Sequence, residues 1–454
     1  GVLCEGPGCP NLNNYVAEVT LSGAPTIGRV LMPALIEAFA LRQGLDLSRE
    51  NTSETRFTYV LTDREADQIR GLFRVHLTNT DEGFADLLAG EADMVMSLRE
   101  VTRDEAVRGR EVGLGDLRDA ARGRVLALDA LVPLVSVGNP VTSITTPELA
   151  QVLSGEITSW VGLGGPDAPI AVHLHDPTTG LGQSTAERML INGAHAFVPD
   201  AVHHLDGESL SQAVARDPFA LGVGSRSEMG LTFELSLKGA CGFAMLASRR
   251  AVKTEDYPLT APMFLYTPAR RMPKLVREFL AFTREPAAQL VIRRAGFVDQ
   301  LPEEIEINDQ GDRFANAILR AGGEVALEDL QRMVKALSPL KRLTTTFRFE
   351  AGSARLDAQS RSNVAGLARA LESGFYDGRR LVFVGFSDGE GPAQNNRQIA
   401  LRRANAVRDA VVRTAETAQL NRLSLETDAF GEAMACDDSE WGRRANRRVE
   451  IWVR

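Results

Sequence analysis

RLVFVGFSDGEGPAQNNRQIALRRANAVRDAV, residues 380–411, is the stretch around which the chain is organised. Leu381 to Phe386 is an unbroken apolar run of strand length. The Gly, Asp, Pro and Asn residues after it form a loop, and Ala400, Ala404, Val407 and Val411 then recur at helical spacing. This predicts a strand–loop–helix unit with Asp388 just past the strand, Asn396 near the helix start and Arg403 one to two turns inside the helix. A carboxylate and a guanidinium then share one rim. Such a pair holds a zwitterion, because an Arg fork takes a carboxylate bidentately and an Asp takes an ammonium. On spacing alone, a structural salt bridge accounts for the two residues as well.

The wider pattern favours the ligand. From Thr344 to Val453 the chain resembles the OmpA-like peptidoglycan-associated domain, whose signature runs strand, G-x-[ST]-D-x-x-G, four residues, Asn, then a helix carrying R-A. Residues 385–404 read GFSDGEGPAQNNRQIALRRA, and residues 445–453 close with ANRRVEIWV. Ser387 replaces the usual Thr and Ile399-Ala400 the usual Leu-Ser, and neither change removes a charged group. The resemblance implies that Asp388 and Arg403 grip the diaminopimelate side chain of a peptidoglycan stem peptide. Asn396 and Arg448 match further polar positions of that site.

The chain has 454 residues, more than one hydrophobic core usually organises, so two or three folding units are expected. A formal charge of −9, with no dense basic block interleaved with aromatics, speaks against a nucleic-acid partner. No run of 18 or more apolar residues predicts a transmembrane helix. The sequence begins Gly1-Val2-Leu3-Cys4 with no leader, as a mature exported protein or a cytosolic fragment would. Of the four cysteines, Cys4 and Cys9 bracket a turn-forming EGPG, so a local disulfide is expected there, while Cys241 and Cys436 stand far apart. The six histidines do not flank the cysteines at finger-like spacings, and neither a metal nor a cofactor is expected.

In chain order, residues 17–40 give a strand, the turn SGAPT and a helix face of Val30, Leu31, Ala34, Leu35, Ala38 and Phe39. A helical turn after Ser22–Thr26 directs backbone N–H groups, Ala24 among them, and the Thr26 hydroxyl toward a ligand; an ordinary N-cap is the alternative. Strand–helix alternation continues through Asp93–Ser97, the apolar residues 124–137, and a helix after Thr146 with Pro147 in its first turn. Alternation of this kind predicts α/β architecture with a predominantly parallel sheet.

From Glu18 to Phe297 the order of elements, with GEADMVMSLR at 90–99 and LAQVLSGEITSWVGLGG at 149–165, looks like a phosphate-type periplasmic substrate-binding protein. That family has two α/β lobes that close on an oxyanion and present it to a membrane transporter. The resemblance implies an anion site from Ala24, Thr26, Ser97, Arg99, Thr178, Thr179 and Gly180. The second-lobe loop lacks the Arg that usually follows its Ser-Gly-Thr, which leaves phosphate, another ligand or no small ligand open. His203-His204 fits a solvent-facing turn better than a metal site. Lys253 and Tyr257 lack a catalytic partner, and no hydrolase elbow, NTP-binding loop or dinucleotide fingerprint appears, so no enzyme is expected.

The expected fold is α/β: a two-lobed periplasmic-binding-protein fold of type II followed by a βαβαβ OmpA-like mixed domain. The boundaries are a Cys-containing leader at 1–16, a binding module at 17–300, a helical linker at 301–342 and the terminal domain at 343–454. Within that linker, Ile305 and Ile307 alternate as an edge strand would. The expected partners are phosphate or another small anion, peptidoglycan, and a transporter or sensor, in the periplasm. A structural envelope protein with no small ligand is the alternative.

Overall fold

A computed structural model describes residues 15–190, 196–320, 327–350, 353–388, 392–434 and 440–454. Cys4, Cys9, Cys436 and the Gly322-Gly323 break lie outside them. The disulfide expectation is corrected: no disulfide joins two described residues, and Cys4 and Cys9 both lie outside them. Cys241, the one cysteine among the described residues, is not a free thiol.

Strand β1 (Ala17–Gly23) leads through a helical turn at 25–31 into α1 (Met32–Arg42), which buries Leu35, Ile36 and Phe39. Three strands follow that the sequence reading passed over: β2 (Asp46–Asn51), β3 (Arg56–Asp63) and β4 (Gln68–Leu77). Helix α2 (Thr80–Ala89) is opened by Asn79, whose side chain accepts the Glu82 N–H at 2.8 Å, and is closed by left-handed Gly90. After it come β5 (Met94–Ser97), β6 (Gly123–Val135) and α3 (Thr146–Ser154). The cap of α3 is Thr145, one residue earlier than expected, in a capping box with Glu148. Next are β7 (Ala171–His175), α4 (Gly180–Met189), β8 (Val202–His204), α5 (Gly207–Arg216), β9 (Ala220–Ser225), β10 (Thr260–Tyr266), α6 (Lys274–Phe282) and α7 (Pro286–Arg294).

The chain divides into two compact units, and β6 and β10 pass from one to the other. The first unit holds Gly1–Leu126, Thr178–Gly180 and Met263–Phe297. Its strands run in the order β2-β3-β4-β1-β5-β10, parallel at β4-β1-β5 and antiparallel elsewhere. The predominantly parallel expectation is thus corrected to a mixed sheet, because the consecutive strands β2, β3 and β4 are joined by turns too short for a helical crossover.

The second unit holds Ala127–Pro177, Leu181–Pro262 and Val298–Arg454. One sheet runs β6-β9-β7-β8. Helices α8 (Gly311–Arg320) and α9 (Leu327–Leu337) precede β11 (Lys341–Arg348), α10 (Ala358–Glu372), β12 (Arg380–Phe386), α11 (Ala393–Thr414), β13 (Ser424–Gly431) and β14 (Arg448–Val453). These give a βαβαβ order with a closing strand, in a sheet ordered β11-β14-β12-β13, and Glu304–Ile305 adds an edge strand beside β11. Leu381 and Phe383 of β12 pack with α10 and α11 residues on one face, while Val382, Val384 and Phe386 pack with Leu330, Met333 and Leu337 of α9 on the other. Burial on both faces is why β12 is apolar throughout instead of alternating.

A charged network runs through this unit. Buried Arg342 meets Asp256 at 2.6 and 3.1 Å and Glu450 at 3.4 Å. Glu450 also takes Arg313 and Arg448, and Arg348 reaches Glu255 at 3.1 Å. Three guanidiniums hold Glu450 far below the usual carboxylate range despite the opposing effect of burial. Lys253 is buried against Asp299 and Glu303 at 3.0 and 2.8 Å, and the Tyr257 hydroxyl donates to the Leu131 carbonyl, so both serve packing.

Candidate functional site

Two groups of polar residues are candidates. In the first unit, the buried Ala24 N–H donates to the Met96 carbonyl at 2.9 Å, and its own carbonyl accepts from Ile27 and Gly28. Its N–H is therefore taken up by the fold. Thr26 is half-buried in the helical turn before α1, and its side chain does not cap that turn. Ser97 is fully buried; its hydroxyl donates to the Arg99 carbonyl at 2.5 Å and accepts the Arg99 N–H at 3.2 Å.

The Arg99 guanidinium is already engaged. It meets Asp81 at 2.6 Å, Glu105 at 2.8 and 3.0 Å, and the Phe84 ring at 5.2 Å. Burial opposes its charge, but the two carboxylates outweigh burial and strengthen its protonation. The sequence reading missed Thr80, a buried residue of the first turn of α2 whose Oγ1 accepts the Leu98 N–H at 3.1 Å. Its signal was the N-T-D-E helix start at 79–82. A Cβ on Gly180 would overlap Thr80 Oγ1, so the α4 start approaches Thr80 and Leu98 closely. Thr178 is exposed and Thr179 half-buried beside it. The structure thus brings Ser97, Arg99, Thr80 and Gly180 together.

The second group lies in the terminal domain. A Cβ on Gly385 would overlap the Ala400 carbonyl oxygen, so glycine at this motif position lets β12 lie directly against α11. Ser387 is buried with its N–H on the Gly431 carbonyl at 2.9 Å, which sets the chain direction just before Asp388. Asp388 is paired not with Arg403 but with Arg447, whose Nε lies 3.0 Å from its Oδ2. Arg403 stacks 5.5 Å over Phe349, and its buried Nη1 has no hydrogen-bond partner among the described residues. Burial, then the charge of Arg447, lowers its proton affinity, and Asp388 works the other way. Asn396 is buried in the first turn of α11.

Arg448, expected as a further polar position of that site, is engaged within the fold. Its buried guanidinium donates to Glu450 at 2.7 Å and to the Ala445 and Met434 carbonyls, and stacks 4.4 Å over Phe386. Burial pulls its pKa down to about 10 against the pull of Glu450. The side chain facing Asp388 belongs to Arg447, the other member of the R-R doublet; neighbours at a strand start point to opposite sides.

In the second unit His204 is buried on edge strand β8, not in a turn, and its Nε2 lies 2.9 Å from Nδ1 of His173. His175 is buried beside them, its Nε2 without a hydrogen-bond partner among the described residues. Among the described residues no group of three or more His, Cys, Asp or Glu is placed to hold a metal, and no helix is long and apolar enough to cross a membrane.

A family model described as a PBP superfamily domain matches residues 19–285, and one described as the OmpA family matches residues 348–448. Phosphate-binding protein PstS of Borreliella burgdorferi is 24% identical over 199 residues, spanning 42% of this chain and 71% of that protein. Protein SphX of Synechococcus elongatus is 29% identical over 276 residues, spanning 56% and 78%. Among solved structures, an ABC-type phosphate transport receptor from Vibrio cholerae aligns with a TM-score of 0.47 at 21% identity, covering 62% of this chain and 99% of that one. PstS from Borrelia burgdorferi aligns with a TM-score of 0.41 at 19% identity, covering 62% and 98%.

Proposed function

We propose, from the premise that this chain belongs to the PBP superfamily and carries an OmpA-family domain, that it is an envelope binding protein held non-covalently on peptidoglycan. It is a binding protein and not an enzyme, as its relatives are. The observation that carries the anchoring reading is the buried, unpartnered Nη1 of Arg403 close to Asp388: an unsatisfied guanidinium nitrogen is costly unless an acceptor arrives. The carboxylate of a diaminopimelate stem supplies that acceptor, and its ammonium suits Asp388. Also proposed are a periplasmic location, a type II binding-protein fold at 17–300 and a terminal domain at 343–454, with the segment at 301–342 joining them and packing α9 on the terminal sheet.

The loops at Thr26, Thr80, Ser97 and Thr178–Gly180 are proposed to take phosphate or a related small anion, for delivery to a transporter or sensor. The name of the Borreliella burgdorferi relative, a phosphate-binding protein, supports this class of ligand. A second reading, a scaffold with no small ligand, is favoured by one observation: Arg99 is already balanced by Asp81 and Glu105. Calorimetry of the full chain with inorganic phosphate decides between them. Saturable binding supports the first reading; no heat at millimolar phosphate supports the second. Anchoring is tested by sedimentation with purified peptidoglycan, and a chain left in the supernatant would sink it.

A further inference from the structure

We propose that Arg447 is the internal counter-ion of Asp388 and sets how strongly the terminal-domain site distinguishes a free ammonium from an acylated nitrogen. The inference rests on the stem-peptide reading of that site and deepens it. Arg447 and Asp388 form a half-buried pair at 3.0 Å whose charges both act on Arg403, and Arg403 keeps a buried Nη1 with no acceptor among the described residues. The two halves of a zwitterionic ligand therefore meet different receptions. A carboxylate that comes to Arg403 Nη1 displaces no acceptor among the described residues. An ammonium meets an Asp388 already engaged by a guanidinium, and it must displace or share that partner against like-charge repulsion. A ligand whose nitrogen is acylated escapes this competition, and Asp388 keeps Arg447. In peptidoglycan terms, Arg447 tempers the preference for stems with a free amino group over stems whose amino group is cross-linked.

The test uses the full chain with two probes, meso-diaminopimelate and its N,N′-diacetyl derivative, their affinities read by calorimetry. In R447Q, freed Asp388 takes the ammonium without competition. The ratio of diaminopimelate to diacetyl affinity is expected to rise about two- to fivefold, the scale of a partly exposed ion pair. R447K keeps the charge and should stay near the wild-type ratio. R447M, similar in length and apolar, repeats the measurement should R447Q fail to fold. An unchanged ratio overturns the proposal. So does a fall in the ratio with loss of diaminopimelate binding, which would make Arg447 a direct ligand contact. If the unaltered chain binds neither probe and does not sediment with peptidoglycan, the anchoring reading itself falls; if only the ratio fails to respond, that reading stands and the role of Arg447 goes.

Discussion

Arg403 and Thr80 show how differently two buried polar side chains can be used. Arg403 has a nitrogen with no acceptor among the described residues, whereas the Thr80 hydroxyl already accepts the Leu98 N–H. D388A and R403A should each remove most sedimentation with peptidoglycan while leaving the circular dichroism spectrum unchanged, because neither side chain belongs to the core. T80V should behave otherwise. It leaves the buried Leu98 N–H without an acceptor, so urea unfolding should show a loss of about 1–3 kcal/mol, and phosphate affinity should fall with it. At this scale the sequence was only partly informative. Asp388 and Arg403 were legible because the motif fixes their spacing, but the choice between Arg447 and Arg448 depends on which side of a strand start each occupies, and a doublet does not state its phase.

Elements made of local pattern were the most legible. The run at 381–386 and the helical spacing of Ala400, Ala404, Val407 and Val411 are the observed β12 and α11. The strands at 46–77 were missed although β4 alternates clearly, and His203-His204 was read as a turn because a three-residue edge strand has too short a period to register. That edge carries a testable acid response. His173, His175 and His204 lie on neighbouring strands, and Asp206 and Asp217, which flank α5, face them together with His203. Burial leads the other effects in lowering all three pKa values from 6.5, that of His175 to about 4. The unfolded chain therefore takes up protons first. Stability is complete above about pH 6.5 and is lost as the pH falls toward 4, by up to about 3 kcal/mol for His175 alone. Thermal melts from pH 7.5 to 4.5 should show the decline, and H175F should flatten part of it.

Across the whole molecule, the second unit joins residues 249–256 to the terminal sheet through Arg342, Arg348, Asp256 and Glu450. Removing one partner of such a buried network strands the others, so R342A should cost about 3–5 kcal/mol in urea unfolding. The double variant R342A/D256A should lose less than the sum of the two single variants. Additive losses would show that the pair is not coupled. The sequence by itself determined the α/β class, the strand–loop–helix that carries Asp388 and Arg403, and the two family resemblances, because periodicity and motif spacing are local properties of a chain. Only the tertiary structure decided that Arg447 partners Asp388, that Arg99 is already neutralised by Asp81 and Glu105, and that α9 covers the second face of the terminal sheet. Those choices rest on which side chains share a buried space, and partners such as Asp388 and Arg447, 59 residues apart, leave no spacing to read.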